Sequence, residues 1–144
     1  MAHAAFTSSP SAPSATLCST PTPHSASTPT PAASVPVLPH HKLIAFTVGR
    51  DLVVAVRDSS IRSPHLRDQA LRAAQSAALN CAEGAGRVSR ADKARVFAIA
   101  RAECVEAAAA VEIAALCGEA SAAAAAEVAR LADRLVALLT GLVR

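Results

Sequence analysis

SRADKARVFAIARAECVEAAAAVEIAALCG, residues 89–118, is the stretch on which the fold turns. It opens on Ser89 with Asp92 three residues later. That is a capping box in which the hydroxyl accepts an early amide hydrogen and the acid, Asp in place of the usual Glu, reaches back. Gly118 supplies the left-handed residue that stops the helix after Cys117. Between these limits Val96, Ala100, Cys104, Ala107, Val111 and Ala114 recur at helical spacing and make one apolar face. Ile99, Val105, Ile113 and Leu116 point elsewhere, so the helix is apolar nearly all round. A helix of that kind must be covered on more than one side, and other helices have to cover it.

Those helices are legible on both flanks. Downstream, Ser121 to Leu142 carries Val128, Leu131, Leu135, Leu138, Leu139 and Leu142 in one stripe, with Arg130, Asp133 and Arg134 opposite. Upstream, Ser63 before Pro64 predicts a helix start, the hydroxyl accepting an early amide hydrogen while the ring pre-sets the first dihedral. Leu66, Ala70, Ala73, Ala77 and Cys81 share a side of this helix, and Gly84 with Gly86 offers the left-handed freedom of an exit. A further helix is expected from Lys42 to Asp58, with Val48, Leu52 and Val56 at four-residue steps. Its LVVAV run could pass for a strand, but no second such run exists to pair with it. Links this short favour antiparallel neighbours. The expected fold class is therefore all-α: an antiparallel up-down-up-down four-helix bundle over residues 42–144.

Residues 1–41 read differently. Through His40 there is no Asp, Glu, Lys or Arg, and eight of the nine prolines fall there among Ser, Thr and Ala. So little large apolar surface does not offset chain ordering, and a disordered N-terminal tail is expected. The segment lacks the basic start and unbroken apolar core of a secretory signal and the arginines of a transit peptide, which points to a cytoplasmic protein. Met1 is the only methionine, so a start at Val35 or Val37 is an alternative reading of the tail. Twelve arginines against two lysines, with Ala above a quarter of the residues, suggest a GC-rich bacterial genome. Charges interrupt the most hydrophobic stretch, so no membrane span is expected. Cys18, Cys81, Cys104 and Cys117 lack paired spacing and read as reduced thiols.

The helices of residues 63–118 are built largely from Ala, which buries little area per residue, and this together with the wrap-around apolarity predicts a homo-oligomer. Two sets of polar residues are candidates for function. Arg72, Ser76, Asn80, Glu83 and Arg87 fall within about 80° of helical arc. They form either a phosphate-binding stripe or, as favoured, a structural polar seam in which Asn80 and Glu83 satisfy an arginine from the following helix. The second set, Arg87, Arg90, Lys93, Arg95 and Arg101, spans the turn at Ser89, where helix amides and cations converge. Glu103 and Glu106 share a face and are expected to pair with Arg95 or Arg101. With Phe97 the only aromatic near that turn and no Tyr or Trp in the chain, contact with nucleic acid would be electrostatic. No partnered nucleophile, Walker-type loop or Glu-x-x-His pair is present, so neither an enzyme nor a cofactor or metal site is expected.

From QALRAAQS (69–76) through NCAEGAGR (80–87) to SRADKARVFAIAR (89–101), the chain resembles the ribosomal-RNA intervening-sequence family of bacterial four-helix-bundle proteins. Gln69, Arg72, Ser76, Asn80, Ala82, Glu83, Gly84, Gly86, Arg87, Ser89, Arg95, Ala100, Arg101 and Glu106 fall on that family's pattern. Ala70-Leu71, Cys81 and Ala102-Glu103 depart from it. The resemblance covers about residues 43–142 and implies a ring-like homopentamer. Relatives include the accessory variability determinant of diversity-generating retroelements, so it also implies RNA or a reverse transcriptase as partner. Two functions follow. An RNA-binding or reverse-transcriptase adaptor, acting through Arg72, Arg87, Arg90, Lys93, Arg95 and Arg101, requires a basic patch gathered on one face. A protein-interaction scaffold requires those cations to be paired with Glu83, Asp92, Glu103 and Glu106 across the seam that includes Ser76 and Asn80.

Overall fold

The computed structural model describes residues 37–144. Four helices make up almost all of it: α1 (Ile44–Asp58), α2 (Pro64–Gly86), α3 (Arg90–Leu116) and α4 (Ala122–Val143). Each packs against the next and α4 closes back on α1, while α1 and α3 meet only slightly across the diagonal. This is the expected all-α, up-down-up-down bundle. No helix among the described residues is long and apolar enough to cross a membrane.

The starts of α3 and α4 follow local capping chemistry, whereas α1, which begins after Leu43, and α2 have no side-chain cap. Ser89 Oγ accepts the Asp92 amide at 3.1 Å and its hydroxyl donates to the Asp92 carboxylate at 2.9 Å, so both side chains of the box are used. Ser121 Oγ accepts the Ala124 amide at 3.1 Å. Ser63, in contrast, makes no capping bond with its side chain, and the start of α2 rests on the fixed dihedral of Pro64. Gly118, at φ +70°, ends α3 as its position predicts.

Gly84 and Gly86 do not form a left-handed exit. Both lie inside α2, and Gly118 is the one glycine with positive φ among the described residues. Gly84 is instead a site of close approach: a Cβ built there would lie 2.5 Å from the Phe97 ring of α3. Gly49 similarly lets α1 reach α2, where a Cβ would lie 3.3 Å from the Ala78 backbone. The core joins large residues of α1 and α4 (Val48, Leu52, Val128, Leu135 and Leu139) to the alanines of α2 and to Val96 and Val111 of α3. Cys81 and Cys104 are free thiols at its centre. Burial pushes the first up to about 11 and, with Cys81 beside it, the second up to about 12, so neither forms thiolate at neutral pH. Cys18 lies outside the described residues.

Two features bear on function. On the outer side of α3, Val105 and Ile113 are half exposed and Leu116 is 88% exposed, so the bundle covers only part of this all-round apolar helix. Secondly, helical structure begins upstream of Lys42. Pro39–Lys42 forms a 3-10 turn packed against α2, so the expected tail boundary at 41 falls inside it. The Leu38 amide donates to His41 Nδ1 at 3.1 Å, and the His40 ring sits edge-on to Phe46 of α1 with centroids 4.6 Å apart. Most of the expected tail lies outside the described residues.

Candidate nucleic-acid interface

The polar stripe of α2 forms, but not as the expected seam. Asn80 Nδ2 donates to the Ser76 carbonyl at 2.9 Å and the Ser76 hydroxyl at 3.3 Å, bonds that stay within one helix. Glu83 accepts from Arg87 one turn on, which holds the Arg87 guanidinium above its ordinary pKa. No arginine of α3 reaches either residue. Arg101 projects toward α4, where its Nε donates to Thr140 Oγ1 at 3.1 Å, and Arg95 makes no ion pair among the described residues. The bond across the two helices comes from Glu106, which accepts from Gln69 and lies 3.7 Å from Arg72. The Glu106 carboxylate thus pairs with α2, not with Arg95 or Arg101, because antiparallel packing brings Gln69 and Arg72 beside the second half of α3. With Arg72 70% and Glu106 44% exposed, solvent screening limits this pair to about 0–1 kcal/mol.

The basic residues divide by position. Arg87, Arg90, Lys93 and Arg95 share the end of the bundle where α2 turns into α3. Arg72 lies fifteen residues before Arg87 on the helix, about 22 Å along the axis, and Arg101 lies on the α4 flank. Folding adds two cations to the group. Arg90 donates to the Arg144 carbonyl at the end of α4. Lys42, from the 3-10 turn, lines the same pocket as Lys93.

At this end the side chains of Lys42, Arg87, Arg90, Lys93, Arg95 and Arg144 stand against those of Glu83 and Asp92, with Arg90 also engaged by the Arg144 main-chain oxygen. The remaining eight basic and nine acidic side chains of the chain almost cancel, so its formal excess of +3 resides here. Arg87 is partly neutralised by Glu83, whereas Lys93 and Arg95 form no ion pair among the described residues. Rings gather here too. Beyond Phe97, which is buried under Gly84, His40, His41 and Phe46 cluster against the N-terminal end of α1. Expecting Phe97 to be the only aromatic near the turn was therefore wrong. Two histidines next to Lys42 were the available signal, and their placement required knowing that the 3-10 turn folds onto α2.

Among the described residues no group of three or more His, Cys, Asp or Glu is placed to hold a metal ion. In comparison with known proteins, the family model described as 23S rRNA-intervening sequence protein matches residues 42–141, a span containing α1 to α3, nearly all of α4 and the basic turn. No curated protein matches the chain.

Proposed function

The chain belongs to the 23S rRNA-intervening sequence protein family, and from that premise we propose that it is a non-enzymatic homo-oligomer that holds RNA through the basic end of its bundle. The observation that carries this reading is the concentration of the excess charge at one end, where helix turn, 3-10 turn and α4 terminus meet. Arginine and lysine side chains grip phosphates whatever the base sequence, and affinity then falls with salt because releasing counterions into more concentrated salt gains less free energy. Fluorescence anisotropy of the full chain with a structured RNA across a salt series tests it. In an Arg87→Ala, Arg90→Ala, Lys93→Ala variant the slope of log K against log[salt] becomes shallower by about 2–3. An unchanged slope, or no binding by the native chain at low salt, rejects the reading.

Self-association has its own support in the outward side of α3, where Val105, Ile113 and Leu116 stand exposed among alanines. Light scattering of the full chain is expected to give a multiple of the 14.6 kDa chain mass, and Ile113→Asp with Leu116→Asp to lower it. A native chain that already runs at 14.6 kDa contradicts this. The scaffold alternative draws on the pairing of Arg72 with Glu106 and of Arg87 with Glu83. It predicts no RNA binding at any salt concentration.

A further inference from the structure

The chain holds only two lysines among its fourteen basic side chains, and both line one pocket. Lys42 comes from the 3-10 turn and Lys93 from the first turn of α3, fifty-one residues later, so their meeting is a product of the fold. The pocket is floored by Leu43, Phe97 and Leu142, edged by Pro39, and has no carboxylate in its lining. The larger groove between α1 and α4 has the opposite net charge, with Asp51, Asp58 and Glu127 in its lining against Arg130, and is the poorer place for a phosphate.

We propose that this pocket receives one unpaired nucleotide of a bound strand, the base resting on the apolar floor and the flanking phosphates held by Lys42 and Lys93. The inference rests on the RNA-binding reading and adds to it a preference that backbone contact alone does not give. An apolar floor between two cations suits a ligand with a flat apolar face and an anionic edge, which is the chemistry of a nucleotide taken out of its stack. The space, about 260 Å³, lies just below the roughly 300–1,000 Å³ of small-molecule sites and accepts one such group, whereas a paired helix cannot enter it. Lysine, a compact ammonium on a flexible stem, meets a phosphate as a point charge. Beyond the last turn of α4 a second pocket without acidic residues lies between Arg101 and Arg144, so the next phosphates of the strand have cations to follow.

The test compares two fluorescent RNA hairpins binding to the full chain, identical except that one ends blunt and the other carries a short unpaired 3′ overhang. The overhang hairpin is expected to bind about tenfold more tightly, the order of one phosphate held between two lysines with the base covering part of the apolar floor. Lys42→Met with Lys93→Met, which keeps the aliphatic stems, removes that preference, while Arg95→Met weakens both hairpins alike and leaves their ratio unchanged. Circular dichroism melting confirms that each variant is folded. Equal affinity of the native chain for the two hairpins, or a preference that survives in the double lysine variant, overturns the pocket and leaves the basic end standing. Failure to bind either hairpin overturns both.

Discussion

Gly84→Ala melts roughly 8–16 °C below the native chain, although alanine is the best helix former and Gly84 lies within a helix. On propensity alone the substitution should stabilise by about 1 kcal/mol. The added methyl, however, would sit 2.5 Å from one Phe97 ring carbon and 2.7 and 2.9 Å from two others. Phe97 is 4% exposed and packed into the core, so the ring can give way only on the side where it lines the pocket with Leu43 and Leu142. Overpacking of this kind costs about 1–3 kcal/mol, occasionally more, and a clash with a rigid ring belongs at the top of that range. The net loss is about 2 kcal/mol. Gly86, with nothing within 4 Å of where its Cβ would stand, is the control: Gly86→Ala should not destabilise. Phe97→Leu should relieve the Gly84→Ala penalty, which a double-mutant cycle at fixed protein concentration measures. Additive effects of the two substitutions would show that the glycine has some other role.

Leu135→Ala is expected to cost about 2–5 kcal/mol in denaturant unfolding, a large share of the roughly 5–15 kcal/mol that holds a small domain together. Leu135 is fully buried on α4, which packs on α1 and α3, and the buried side of α3 is mostly alanine. Alanine side chains cannot turn to fill a void, so the cavity persists and its cost adds to the lost transfer free energy. Leu142, 39% exposed on the same helix, sets the scale: its truncation removes surface already half in water and should cost under about 1 kcal/mol. Equal costs at the two positions would contradict the assignment of the α4 core face.

Much of this arrangement was legible because each helix announces its own face and ends. The leucine stripe of α4, the all-round apolarity of α3, the starts at Ser89 and Ser121 and the stop at Gly118 are local signals, and local chemistry decides them. Apart from the unused Ser63 cap, the failures are relations between elements. Gly84 and Gly86 looked like an exit because glycine freedom and glycine smallness give the same letter in a sequence, and only Phe97 across the interface distinguishes them. Asn80 and Glu83 looked like seam residues because they share an arc, but the register of α2 against α3 hands that role to Gln69, Arg72 and Glu106. The sequence reads His40 and His41 as tail and Lys42 as the first residue of the first helix, whereas all three lie in the 3-10 turn. A single turn of 3-10 helix has almost no propensity of its own, and contact with α2 and Phe46 holds this one. The basic end was half visible as Arg87, Arg90, Lys93 and Arg95, and its completion by Lys42 and Arg144 needed chain ends that only the bundle brings together.

The most direct measurement is the equilibrium binding of the full native chain to a structured RNA as salt is raised. The account predicts binding at low salt whose logarithm falls linearly with log[salt], with a slope near −3 to −5 for four to six phosphate contacts. Absence of binding at low salt, or binding indifferent to salt, would contradict it and leave the charged end of the bundle a solvated surface.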